Sequence, residues 1–168
     1  GGQEDLLRGL EALSLDVVLP NLVLARDAAS PYLVHRLDDQ PVSLVGTPGR
    51  VPRGTGTLPE LLATHPLILP TPETSLRAGF DALLDRLDVA PRIAAEADDM
   101  AMLRLLARAD AGLAVLPPIV VQDELEAGQL VEVARLEGIE EVFCAVTMRR
   151  RFPNPLLAEV LAPVEAAP

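Results

Sequence analysis

The chain contains no lysine and no tryptophan, a single cysteine, and only 2% aromatic residues. Each shortage excludes something. A Walker-type phosphate loop needs a lysine to reach the phosphates, and the glycine-rich stretch from Gly46 to Gly56 also lacks the Gly-Lys-Ser/Thr pattern. One cysteine rules out an internal disulfide and fits a reducing compartment. Cys144 lies in Val142-Phe143-Cys144-Ala145-Val146, so it reads as a buried, inert thiol. With so few aromatics the core must be Leu, Val, Ala and Ile, and a partner surface built on aromatic anchors is not expected. No apolar run approaches the ~20 residues of a membrane span. The first residues do not read as a basic-then-apolar signal peptide. A cytoplasmic location is expected.

What is present is acidic and apolar. Of 168 residues, 49% are hydrophobic, which makes the chain globular. Its 14 cationic residues, all Arg, face 25 acids for a net charge of −11. Duplex DNA requires clustered cations, so this chain alone is not expected to bind nucleic acid.

The most informative passage runs from Glu96 to Pro118. It reads as an acidic helix start, a helix apolar nearly all round, a turn at Gly112, and a short buried strand Leu113 to Leu116. A helix apolar on every face is expected to be buried on every face. Upstream, Leu67-Ile68-Leu69 predicts a strand. Thr71 is the expected N-cap of the next helix, with Pro72 at its first position and Glu73 complementing the dipole. Leu76, Phe80, Leu83, Leu84 and Leu87 form its apolar stripe. Arg92 to Ala95 predicts a strand, and Asp98 is the expected cap of the helix after it. Strand, helix, strand, helix, strand from Leu67 to Leu116 implies parallel pairing with right-handed crossovers, hence an α/β fold.

The flanks are simpler. Leu6, Leu7, Leu10 and Leu13 have helical spacing, and Leu15 to Leu19 reads as a short strand. One strand is expected near Val34 and another over Pro41 to Val45. Gly46 to Thr57, with four Gly, two Pro and three Thr, is a loop, and Leu58 to Leu62 is a helical turn. Ile119 to Ala127 predicts a helix closed by Gly128. Leu130 to Val133 and Val142 to Thr147 predict strands, and Asn154-Pro155 starts a last helix.

These residues carry a resemblance. The run EADDMAMLRLLARADAGLAVLPP resembles the effector-binding region of LysR-type transcriptional regulators, with its acidic helix start and glycine-led strand ending in proline. Leu125-Glu126-Ala127-Gly128-Gln129-Leu130-Val131 is similar to the segment that follows there. Leu7 to Leu19 is similar to an earlier motif, with Ser14 where glycine is usual. Leu69 to Arg77 and Val142 to Arg150 look most like one subgroup, the sodium-responsive activator of a sodium/proton antiporter.

The resemblance implies a two-lobed, Rossmann-like architecture of the periplasmic-binding-protein type II kind. Residues 1–45 and 148–168 would form lobe one, and 46–147 an inserted lobe two. It also implies that the chain starts inside lobe one, leaving that lobe incomplete. The winged helix-turn-helix that touches DNA would then lie outside the chain, in agreement with the −11 charge. An incomplete lobe would expose apolar surface, so self-association is expected unless another segment fills the gap. The resemblance further implies a small-molecule or ion effector between the lobes, homo-oligomers (dimer or tetramer in the parent protein), and no membrane partner.

Ligands in open α/β sheets lie at strand C-termini, against helix N-termini. Thr71, Thr74 and Ser75 offer hydroxyls and helix-start N–H groups suited to an anion, although Thr71 also fits a plain cap. Asp98 and Asp99 suit a cation or basic group, or one cap and one solvated acid. Pro117 and Pro118 offer a wall by backbone approach, or a simple strand stop. Gly46 and Thr47, at the first expected lobe crossing, add a hydroxyl and open backbone. His35 and His65 have no paired ligand spacing, so no metal is expected, and no cofactor motif is present. Arg149-Arg150-Arg151 reads as a solvated strand end that neutralises nearby acids. No cluster supplies nucleophile, base and orienter, so no enzyme is expected. The alternatives are a transporter's solute-binding protein and, less favoured, a small α/β enzyme without recognisable motifs.

Overall fold

The computed structural model describes residues 3–20, 30–51, 56–150 and 154–161. In chain order these form α1 (Gln3–Glu11), β1 (Tyr32–Gly46), α2 (Leu58–Thr64), β2 (Pro66–Pro70), α3 (Ser75–Leu87), β3 (Arg92–Ala97), α4 (Met100–Arg108) and β4 (Leu113–Leu116). A 3-10 turn (Pro118–Val121), α5 (Gln122–Glu126), β5 (Val131–Met148) and α6 (Leu156–Val160) follow. The strands make one sheet in the order β3-β2-β4-β1-β5. β2 pairs parallel with β3 and with β4, as strand-helix alternation requires, and β1 runs antiparallel to β4. The fold is therefore mixed α/β.

The chain divides into two compact units, Gly1–Asp39 with Val142–Pro168, and Gln40–Glu141. β1 and β5 contribute residues to both.

In the larger unit the sheet is covered on both sides. One face packs Leu44, Leu67, Leu69 and Val115 against α2 and α3, whose Leu62, Leu76 and Phe80 are wholly buried. The other packs Val45, Ile68, Ala114 and Leu116 against α4 and the 3-10 turn through Leu103, Ala107 and Val121. β2 and β4 lie between two layers, which is why they read as continuous apolar runs. Gly112 is required by close approach: a Cβ there would stand 2.5 Å from the Pro66 carbonyl oxygen. In the smaller unit, Leu10, Val18 and Val146 form a separate cluster.

Several expectations are corrected. The strands expected near Val34 and over Pro41 to Val45 are one strand, β1. Pro41 does not break it, because its missing N–H precedes the Ser43–Val45 segment that pairs with β4. Leu130 to Val133 and Val142 to Thr147 likewise belong to one strand, β5, whose Gly138 takes φ +78° and absorbs the local irregularity. Leu15 to Leu19 is no strand; only Val18 bridges, to Val146. α4 is not buried all round. Leu103 and Ala107 face the sheet, while Met102 and Leu105 are 46% and 56% exposed, because α4 is an outer layer with cover on one side only. The helix expected over Ile119 to Ala127 opens as the 3-10 turn, and Gly128 closes α5 at φ +68° as its position predicts.

Candidate functional site

The parallel core fixes one rim. Pro70 at the end of β2 is in register with Ala97 at the end of β3, and β4 is in register with β2 through Leu67–Leu113 and Ile68–Ala114. The residues that follow these three strands are Thr71, Asp98 and Pro117. The Thr71 N–H donates to the Ala97 carbonyl at 3.1 Å, which ties the first two loops together.

The loop after β2 is built by its own hydroxyls. Thr71, Pro72 and Glu73 form a turn, and the N-cap of α3 is Thr74 rather than Thr71. The Thr74 hydroxyl donates to the Thr71 carbonyl (3.0 Å) and accepts from the Arg77 N–H (3.2 Å). Both of its roles are thus used in structure. The helix does not itself satisfy the N–H groups of Ser75 and Leu76, and Ser75 is exposed.

The loop after β3 is acidic. Asp99, not Asp98, caps α4, accepting the Ala101 N–H at 2.8 Å. Both caps fall one or more residues later than the sequence pattern indicates, because strand pairing consumes the preceding residues: β3 continues to Ala97, and Thr71 still bonds to it. Asp98 and Asp99 are exposed. After β4, Pro117 is buried, Pro118 half-buried, and the Pro117 carbonyl accepts from Val120 at 3.0 Å, opening the 3-10 turn.

One residue the sequence reading passed over organises this rim. Arg77 is only 8% exposed. It donates to the Pro70 carbonyl (3.0 Å), to Asp81 (2.8 Å) and to Glu96, so one guanidinium joins β2, β3 and α3. Burial works against its charge, but the bonds to Glu96 and Asp81 outweigh this and hold its pKa above the usual arginine value. The signal was there: Arg77 interrupts the buried side of α3 next to Leu76, with Asp81 four residues on.

Gly46 and Thr47 do not join the others. β1 is antiparallel to β4, so its last residues lie where β4 begins, at the opposite rim. There the Thr47 hydroxyl donates to Asp110 (2.7 Å), and Arg50 bonds the Asp110 carboxylate (2.8 Å) and carbonyl. The Thr47 and Arg50 hydrogen bonds hold the Asp110 carboxyl below its ordinary range. This is a latch between loops, with its ligands already supplied by the protein.

In the smaller unit, His35 Nε2 lies 2.9 Å from the Thr147 hydroxyl. Arg150 bonds Asp16 and the Leu15 carbonyl, and Asn154 also donates to Asp16 (3.0 Å). Arg151 lies outside the described residues. Among the described residues no group of three or more His, Cys, Asp or Glu is arranged to hold a metal, and no helix is long and apolar enough to cross a membrane.

The family model described as the LysR substrate binding domain matches residues 1–167. The chain belongs to that family. Solved structures with the same fold include the effector binding domain of QuiR in complex with shikimate (15% identity, TM-score 0.65, covering 92% of this chain and 72% of that one). Two more are LysR family transcriptional regulators from Pseudomonas aeruginosa. The PA01 protein has 19% identity and a TM-score of 0.70, and HinK has 21% and 0.68; for each, 96% of this chain is covered. The chain spans 55% of the length of either regulator. The comparison with curated proteins finds no match.

Proposed function

We propose that this chain senses a small effector for a LysR-type transcriptional regulator, and that the effector is held at the rim formed by the loops after β2, β3 and β4. The observation that carries the reading is the convergence of these three loops at one rim, tied by Thr71 to Ala97, in a chain that belongs to a substrate-binding family. Shikimate in the QuiR structure supports a ligand of small-molecule size. Ser75 and Leu76 offer N–H groups, the Thr71 side chain a hydroxyl, Asp98 and Asp99 carboxylates, and Pro117 and Pro118 a rigid wall. Thr74 acts by capping α3, and Gly46 and Thr47 act elsewhere.

The role is binding without turnover. The effector's differential affinity for two conformations supplies the signal. Contact with DNA falls to a separate part of the regulator, since a chain of net charge −11 disfavours a polyanion. Assembly as homo-oligomers and a cytoplasmic location follow from regulating transcription in this family's manner.

Thermal-shift screening of the chain against small carboxylic acids and amines tests the reading. A ligand that raises the melting temperature, and loses its effect in Ser75→Trp, is the expected result. A ligand whose effect survives Ser75→Trp but is lost in Thr47→Trp would move the site to the opposite rim and overturn it.

A further inference from the structure

Glu141 is a buried carboxylate that the fold leaves without a hydrogen-bond partner. It is 7% exposed, and its Oε2 makes no hydrogen bond. His35, early in β1, bonds Thr147, late in β5, and Ser43, later in β1, bonds Glu132, early in β5, so the two strands are antiparallel. β1 is in turn antiparallel to β4. β5 therefore runs in the direction of β4. Ser43 is in register with Leu116, the last residue of β4, and bonds Glu132, so Glu141, the last residue of β5 in the larger unit, lies on the side of the rim where β4 ends.

Residues two apart on a strand share a face, so Glu141 shares that of Ile139. Ile139 belongs to the cluster packed against α3, and a Cβ on Gly79 would lie 3.5 Å from it. The first turn of α3, Thr74 to Arg77, starts at the same rim. Glu141 thus stands on the α3 side of the candidate site. Burial alone pushes its carboxyl above the ordinary range. Glu73, Asp98 and Asp99 are exposed carboxylates on the neighbouring loops. Arg77, on the first turn of α3, is bonded to Glu96 and Asp81. A buried charge without a partner is costly, and a ligand that supplies the partner recovers that cost on binding.

We propose that Glu141 receives a cationic nitrogen of the effector, an alkylammonium or guanidinium group. This rests on the rim being the effector site. The same acids repel a ligand whose only charge is negative, so a purely anionic effector is disfavoured.

The test measures binding of agmatine, putrescine and benzoate by calorimetry and thermal shift to the unaltered chain and to three variants. Glu141→Gln keeps the shape and removes the charge, Ser75→Trp blocks the rim, and Glu126→Gln removes a remote exposed acid. Circular dichroism checks that each is folded. The expected result is binding of an amine, weakened at least about tenfold by Glu141→Gln, abolished by Ser75→Trp and unchanged by Glu126→Gln. Amine binding that Ser75→Trp abolishes and Glu141→Gln leaves intact would keep the rim as the site and overturn the role of Glu141, and benzoate bound there more tightly than either amine would overturn the preference for a cation. Amine binding indifferent to Ser75→Trp would overturn the rim and the proposal with it. No binding of either amine would also overturn the proposal.

Discussion

The Thr71 N–H and the Ala97 carbonyl lie 3.1 Å apart, joining the loop that leaves β2 to the last residue of β3. Arg77 reinforces this tie by bonding Pro70 and Glu96 on the same two strands. The rim is therefore a stiff platform rather than two independent loops, a requirement for placing ligand groups reproducibly.

Arg77→Met should loosen that platform. It leaves the Pro70 carbonyl, Glu96 and Asp81 without their donor, and the two acids can partly resolvate. A loss of about 1–3 kcal/mol is expected from urea denaturation. Glu96→Gln should cost less, and the double variant should cost less than the sum. Strict additivity would mean that the pair does not couple.

Phe80→Ala should destabilise the larger unit by about 3–5 kcal/mol. Phe80 is wholly buried in the cluster that gathers α2, α3 and sheet residues. The measurement is the denaturation midpoint at constant slope. A change under 1 kcal/mol would place Phe80 outside the core.

Two glycines separate backbone approach from mere loop composition. Gly112→Ala drives a Cβ against the Pro66 carbonyl, a backbone atom that cannot swing away, and should cost about 1–3 kcal/mol. A Cβ on Gly49 meets nothing within 4 Å, so Gly49→Ala should be neutral or slightly stabilising. Equal effects would contradict the close approach.

Two carboxyls give opposite pH dependences. Burial raises Glu141, so folding favours its protonated form. Its favourable contribution is present below the ordinary glutamate value of about 4.3 and is lost as pH rises through the raised value. Glu141→Gln should therefore gain on the unaltered chain as pH increases. Asp110 is lowered by Thr47 and Arg50. Its contribution is present above the ordinary aspartate value of about 3.9 and is lost as pH falls through the lowered one. Asp110→Asn should cost most at neutral pH and least in acid. Denaturation from about pH 2 to about pH 8 reads both trends, Asp110 below the ordinary aspartate value and Glu141 above the ordinary glutamate value, and a reversed slope for either would contradict its assignment.

Much of the fold was legible because it is local. Leu67 to Leu69 and Leu113 to Leu116 are apolar runs of strand length between breakers, and the stripe from Leu76 to Leu84 has helical period. Their alternation alone implied parallel pairing. Strand continuity was less legible. Pro41 and Gly138 look like breaks, and only long-range pairing shows that β1 and β5 run through them. Caps slipped for a related reason: Thr71 and Asp98 fit capping chemistry, but the register of β2 with β3 hands those roles to Thr74 and Asp99. That Thr71, Asp98 and Pro117 share one rim was legible from the parallel alternation, which puts the ends of β2, β3 and β4 side by side. Gly46 and Thr47 were misplaced because β1 direction is not written in its residues. Glu141 was invisible, since an acid among Glu137, Glu140 and Glu141 looks solvated until the strand face is known.

The most direct test of the rim as the binding site is backbone amide chemical-shift mapping with a bound small molecule from the screen. The account predicts shifts concentrated at Thr71, Ser75, Leu76, Asp98 and Glu141, with Thr47 and Asp110 unmoved. Shifts centred on Thr47 and Asp110, with the Thr71 loop silent, would contradict it.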